Sequence, residues 1–417
     1  MTDRPDTLQV ARLLGVCAAL GVAVALVFIG FEQAMHRAQH WWWVTLPGHH
    51  PGNVVIIALA AAGGLALGLV LRFAPGRGGP HPAETHDLLT AGNDTTVPLL
   101  LGGLGVGFVG LVAGASLGPE GAIIPSIAGL SVLATRWTHQ RGPLAPLVKA
   151  AGLGALLAAM FGSPLAGVVP LMEVVPAGAI SMTMLVLPAL TASATAVLTL
   201  QVLGVQPLGR VTLDYAGFHT IHLLWAILIG IVAGAIGLLV DRATRILRRV
   251  TLRSDARSVV LTSVVGGVVL GILYAIGGPD VRFAGIPQLD VLVAGTHRVG
   301  PAVLAVAVKV LATAWCLAAG YRGGKIFPIA FAGGATGLAI HLAFDGIPLP
   351  LAVGVGLSAS MATALGTPMT AALIAASLLP SDLLPLALLA IVAAHTVHLL
   401  AERVEAGGAH AAAPAAG

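Results

Sequence analysis

The sequence predicts an all-α polytopic membrane protein, and three observations carry that prediction. Of the 417 residues, 57% are hydrophobic and only 9% are charged, with a mean hydropathy of +0.96. A soluble domain of ordinary composition carries about 25% charged residues. This chain therefore lacks the polar side chains to cover a soluble core, and lipid must cover most of its surface. Second, the apolar residues gather into a long series of runs. Third, several of those runs are short, are bounded by Gly and Pro, and recur in the second half of the chain.

Taken in order, the first run, 13–31, follows Arg12. It is longer than the ~7–15-residue apolar region of a secretion signal and lacks a small-x-small cleavage site, so it reads as the first membrane helix. Further runs cover 54–73, 97–117, 123–133, 147–161, 165–175 and 180–203. The second series covers 221–239, 259–276, 302–319, 326–343, 349–365, 369–379 and 383–400. A simple span needs about 20 apolar residues. Several runs reach that length, whereas 123–133, 165–175 and 369–379 fall short. The short ones adjoin Gly118-Pro119-Glu120-Gly121, Gly162-Ser163-Pro164 and Gly366-Thr367-Pro368. Such segments predict broken helices that meet near the bilayer midplane around a binding site. Irregular backbone at that depth survives only against protein or a water-filled cavity. Residues 406–417 are rich in Ala, Gly and Pro and read as a disordered tail.

The two halves echo each other. Phe161-Gly162-Ser163-Pro164-Leu165-Ala166-Gly167 is repeated as Leu365-Gly366-Thr367-Pro368-Met369-Thr370-Ala371, and Gly121-Ala122-Ile123-Ile124-Pro125 as Gly324-Lys325-Ile326-Phe327-Pro328. The offsets are 204 residues (368 − 164) and 203 (328 − 125). Equivalent broken helices in two halves mark an internally duplicated transporter, with repeats expected at 1–205 and 206–405. Arg242, Arg245, Arg248, Arg249, Arg253 and Arg257 bunch around the link between two long runs. The positive-inside rule makes that link cytoplasmic; the alternative is a patch for anionic lipid or nucleic acid.

Other classes find little support. Cys17 and Cys316 lie inside apolar runs, so neither a disulfide framework nor a metal site is expected. The net charge of +4 comes without an aromatic-basic stripe, so no nucleic acid is expected. No nucleophile–base pair stands at mechanistic spacing, so no enzyme and no cofactor are expected. His219 and His222 lack a third ligand nearby and read as interfacial, and His341, His395 and His398 as helix-to-helix hydrogen bonders.

Four motifs carry a family resemblance. Gly118-Pro119-Glu120-Gly121-Ala122 resembles the G-R/K-E-G-P signature of the CLC chloride channels and transporters. Gly162-Ser163-Pro164-Leu165-Ala166-Gly167-Val168, with Glu173 nine residues after the proline, resembles N-x-P-L-A-G-x-x-F-x-x-E. Gly324-Lys325-Ile326-Phe327-Pro328 resembles G-x-F-x-P, and Gly76-Arg77-Gly78-Gly79-Pro80 stands in the place of G-S-G-I-P. Lys309, the lone charge in the run 302–319, is common there in the family. The motifs keep the family's order and spacing over residue 76 to about 400, and their departures point to a remote bacterial branch. The resemblance implies a CLC-type inverted-repeat fold with broken helices. It also implies a homodimer with one pathway per subunit in the inner (plasma) membrane, and a small inorganic anion as cargo.

The physics of the motifs fits an anion. Helix N-termini present unpaired N–H groups and a partial positive charge, which hold a dry anion without a full countercharge. The expected anion-binding residues are Gly118, Gly121, Ala122, Gly324, Lys325, Ile326, Phe327 and Arg77. Glu120 is the expected gate: in the family the matching glutamate blocks the outer pathway as a carboxylate and swings away when protonated. The competing reading is a carboxylate that caps its own helix. Glu173 matches a structural position, and Val174 stands next to it where proton-coupled members carry an internal glutamate. The family's inner-gate tyrosine lies in a final helix that this chain is expected to lack. Passive, glutamate-gated anion flux is therefore expected. A fluoride or proton-coupled antiporter, a carrier of another solute class and a non-transporting relic are the alternatives. Arg77 either attracts anions at the cytoplasmic side or snorkels to headgroups. Lys325 either pairs with Glu120 or points away and pairs elsewhere.

Overall fold

The computed structural model describes residues 7–48, 51–75, 96–138, 145–174, 182–207, 214–215, 217–251 and 258–412. Among them the chain forms fifteen α-helices and no named strand. In the first half these are α1 (Thr7–His40), α2 (Asn53–Phe73), α3 (Val97–Val112), α4 (Glu120–Trp137), α5 (Ala145–Phe161), α6 (Pro164–Val174) and α7 (Met182–Val202). The second half holds α8 (Ile221–Thr251), α9 (Ser258–Gly277), α10 (Ile286–Gly295), α11 (Val299–Ala318), α12 (Ile326–Ala343), α13 (Leu349–Leu365), α14 (Pro368–Leu378) and α15 (Leu384–Ala412). Among the described residues, eight spans are long and apolar enough to cross a membrane. The shorter α4, α5, α6, α13 and α14 recur as lengths: α4 and α12 have 18 residues each, α5 and α13 have 17, and α6 and α14 have 11.

The core is made of the helices that were too short or too rich in small residues to face lipid. Almost every residue of α5, α12 and α13 is buried, while α1, α2, α8 and α9 expose large apolar side chains such as Leu26, Leu69, Leu228 and Leu261. Small residues make this possible, because in lipid close backbone approach replaces hydrophobic drive. Gly333 and Gly337 of α12 lie against Gly356 and Ala352 of α13, and a Cβ on either glycine would strike the opposite backbone. Gly230 and Gly234 of α8 meet Ala390 and Ala394 of α15 in the same way.

Directions come from contacts and the positive-inside rule. The positive-inside rule assigns the basic C-terminal end of α8 to the inner side, and on that assignment Trp225 near its start belongs to the outer side. Trp225 packs on Phe344, just past the end of α12, with ring centroids 5.6 Å apart, so α12 runs outward. The start of α4 adjoins the C-terminal part of α1, while Trp137 at its end shares a pocket with Arg12 near the start of α1. α4 therefore runs antiparallel to α1. α15 continues to Ala412, so residues 406–412 of the expected tail are helical; alanine-rich sequence has the highest helix propensity. Residues 413–417 lie outside the described residues.

Candidate functional site

α4 and α12 begin at one place and leave it in opposite directions. The stretches before them are joined by a single antiparallel bridge: the Gly118 amide donates to the Gly324 carbonyl at 2.8 Å, and the Gly324 amide to the Gly118 carbonyl at 2.9 Å. Only glycine permits this approach. A Cβ on Gly121 would run into the backbone of Gly323, and a Cβ on Gly324 into the Glu120 carboxyl group. The spacing that the two motifs share is thus a packing requirement.

Glu120 is the first residue of α4 and is 2% exposed. Its Oε1 accepts a hydrogen bond from the Ile326 amide at 3.0 Å, at the first turn of α12, and the Phe327 amide adds electrostatic support. The carboxylate thus sits on the positive end of the opposing helix. Its Oε2 is buried against Gly118 and has no hydrogen-bond partner among the described residues. A buried acceptor without a donor is costly, and a proton on that oxygen would change how the group is held.

The amides expected to bind the anion divide into two kinds. Those of Gly118 and Gly324 are spent on each other, and that of Ala122 donates to the Pro119 carbonyl at 3.0 Å. These three build the junction rather than offer free donors, because chain pairing and the first helical turn claim them. Ile326 and Phe327 face the Glu120 carboxylate. Gly121 is pressed against Gly323 and holds the junction closed. Arg77 lies outside the described residues.

Lys325 does not pair with Glu120. Its Nζ bonds both oxygens of Asp241 on α8, at 2.6 and 2.8 Å. Lys325 is the N-cap of α12, and its side chain turns to α8 while its neighbour's amide serves Glu120. Asp241 was missed in the sequence, although it is the one acid in α8 and stands where the apolar run gives way to arginines.

A cavity of about 550 Å³ reaches the residues flanking Glu120. Leu117, Pro119 and Phe327 form its floor, and Glu32, His36 and Trp43 of the first span line its wall. Glu32 and His36 are paired at 2.8 Å, and Glu32 lies within electrostatic reach of Glu120. The sequence offered only an i, i+4 acid–His pair at the end of a membrane run, which is a common interfacial pattern.

Glu173 is a cap, and it crosses to the other half. Its oxygens accept from the Met369 and Thr370 amides at 3.1 and 2.9 Å and from the Thr370 hydroxyl at 2.7 Å, closing the start of α14. Lys309 is fully buried, and its ammonium donates to the carbonyls of Val281, Arg282 and Phe283 at 3.2, 3.4 and 2.6 Å. It organises the chain before α10 instead of facing an ion. His222 Nδ1 bonds the Tyr215 hydroxyl at 2.6 Å, and His341 Nδ1 the Ile347 carbonyl at 2.6 Å. Among the described residues no three His, Cys, Asp or Glu side chains gather as a metal site.

A model of the voltage gated chloride channel family matches residues 62–398. The chain belongs to that family. Two relatives, each named "Putative ion-transport protein YfeO", come from Salmonella schwarzengrund and Salmonella choleraesuis. Each is 27% identical over 354 residues, spanning 80% of this chain and 81% of the relative. Among solved structures, this chloride-channel-family protein shares its fold with a slow cyanobacterial Cl⁻/H⁺ antiporter (TM-score 0.77, 20% identity, 95% of this chain and 98% of that one). A CLC-type fluoride/proton antiporter gives a TM-score of 0.76 at 18% identity, covering 95% and 97%. The family consists of anion channels and transporters, and the CLC-type fold expected from the motifs is the fold found.

Proposed function

We propose that this protein passes a small inorganic anion, chloride or a close analogue, through a pathway that Glu120 closes. The observation that carries the reading is the Glu120 carboxylate seated on the Ile326 amide, where a dry anion would be held by the same donor and the same helix end. The carboxylate is an anion tethered to the protein. Its removal by protonation or by competition opens the site to a free ion. The outer cavity supplies the approach.

Flux in this reading is passive. Glu173 is committed to the start of α14, and the next residue is Val174, which carries no proton. The halves 1–205 and 206–405 act as inverted repeats, a reading supported by the matched helix lengths. The working unit is a homodimer in the inner membrane with one pathway per subunit, and Arg77 draws anions to the cytoplasmic approach. Proton-coupled exchange is the second reading, because the two fold neighbours are proton antiporters. One experiment separates them. Purified protein in sealed liposomes is tested for electrogenic chloride and fluoride efflux while internal pH is followed. Anion efflux without stoichiometric proton movement is expected. Uphill proton movement driven by an anion gradient would establish exchange, and the absence of any anion flux would remove both.

A further inference from the structure

Lys325 and Asp241 form an ion pair at the inner end of the site, and several observations make it more than a brace. The first is position. Lys325 immediately precedes Ile326, whose amide holds Glu120, so the ammonium is carried by the residue next to the donor at the gate. The second is accessibility: the two side chains are 30% and 38% exposed. Charges are not left facing lipid hydrocarbon, so this exposed pair faces water. The third is depth. Asp241 lies twenty residues into α8 (241 − 221), about 30 Å along its axis. There the apolar part of the helix has just ended at Val240, and the arginine-rich cytoplasmic part begins.

The fourth observation lies one turn further along α8. There Arg245 donates to Glu405 of α15 through its Nη1 and Nη2, at 3.0 and 2.6 Å. Charges of alternating sign therefore lead from the gate to the cytoplasmic end of α15: Lys325, Asp241, Arg245, Glu405. The cation of this series next to the gate is Lys325. Its charge is already taken by Asp241 through two short bonds.

We infer that Asp241 is a second resident carboxylate of the pathway: on the Lys325 ammonium at the inner mouth it holds the place of the permeating anion, which must displace it to pass. The inference rests on the reading of an anion pathway closed by Glu120. Each end of the pathway then carries a tethered carboxylate, one on the backbone amides of α12 and one on the ammonium of its N-cap residue. An incoming ion exchanges with Asp241 for Lys325 and does not simply add to its attraction. The inner mouth thus favours small monovalent anions able to compete with a carboxylate for an ammonium group.

The test uses the full-length protein, purified in detergent for chloride calorimetry and in liposomes for efflux. Asp241→Asn leaves Lys325 without its partner. Chloride affinity should rise about fivefold, the scale set by releasing a partly exposed ion pair, and unloading should slow. Lys325→Met leaves Asp241 uncompensated and should weaken binding and flux. The double variant should return close to the parent in affinity, as a direct exchange requires. Melting temperature is followed throughout, and if Asp241→Asn does not fold, Asp241→Ser takes its place. A conducting parent whose affinity and flux match those of both folded single variants would reduce the pair to a brace between α8 and α12, overturning the inference while leaving the Glu120 reading intact. A parent that neither binds nor moves chloride or fluoride would overturn that reading, and the inference with it.

Discussion

Replacing Glu120 by Gln tests the gate at the bond that closes it. The substitution keeps the size of the side chain and leaves an oxygen for the Ile326 amide, which now lies 3.0 Å from the carboxylate. What it removes is the charge. A hydrogen bond to a charged group contributes about 1.5–3 kcal/mol, against about 0.5–1.5 kcal/mol for a neutral one. The occluding position should therefore weaken by about 1–1.5 kcal/mol, which corresponds to about a tenfold shift toward the open arrangement. Chloride efflux from proteoliposomes at fixed protein density should rise by up to about that factor where occlusion limits it. The sign of the pH effect comes from the same charge. If Glu120 closes the pathway, acid should protonate the carboxylate and open it, so flux in the parent should climb as pH falls; Gln has no proton to take, and its profile should be flat. Any residual slope would report on Glu32 and His36, which line the outer cavity. Unchanged flux together with an unchanged pH slope would refute the gating role and leave Glu120 a helix cap.

Three further outcomes are expected. Gly324→Ala places a methyl group on the Glu120 carboxyl group; it should displace the gate, blunt the pH response of efflux and cost about 1–3 kcal/mol of stability, read as a lower melting temperature. Glu173→Gln removes the anionic cap of α14 but touches no part of the pathway. It should cost about 1–3 kcal/mol, with efflux per folded molecule unchanged below the melting transition. Lys309→Met withdraws a buried ammonium from three carbonyls and should destabilise by about 3 kcal/mol or more, seen as poor recovery of monodisperse protein on gel filtration.

Much of the architecture was legible because lipid imposes length and composition on each helix. The runs 326–343 and 349–365 are the observed α12 and α13 residue for residue. The short Gly/Pro-bounded runs are the observed broken helices. α10 was not legible: its ten residues are too few for a span, and Pro287, Gln288 and Asp290 interrupt the apolar pattern at its start. Glu120 stood out because an acid beside Gly and Pro at membrane depth has few structural uses. Its acceptor role toward Ile326 was implied by the motif, whereas the partners of Lys325 and Glu173 were not. Asp241 is 84 residues from Lys325, and Thr370 is 197 from Glu173. No local rule connects such pairs, since tertiary packing alone brings the donor to the acceptor. The amides of Gly118 and Gly324 illustrate the converse. The motif marked them as ligands because they adjoin helix starts, and only the fold reveals that they bond each other.

The bond from Glu120 to the Ile326 amide spans 206 residues, and this separation has a consequence for how the chain is made. At ribosomal rates of about 5–20 residues per second, the acid emerges about 10–40 s before the helix that will receive it. Glu173 waits a comparable time for α14. The first seven helices therefore enter the bilayer with two acids still lacking their partners, and no order of synthesis lets either half mature alone. Expressed separately, residues 1–205 should be retained by the insertion machinery or degraded, and co-expression with 206–417 should rescue them. The bond between Glu120 and the Ile326 amide can therefore form only after the start of α12 has been made.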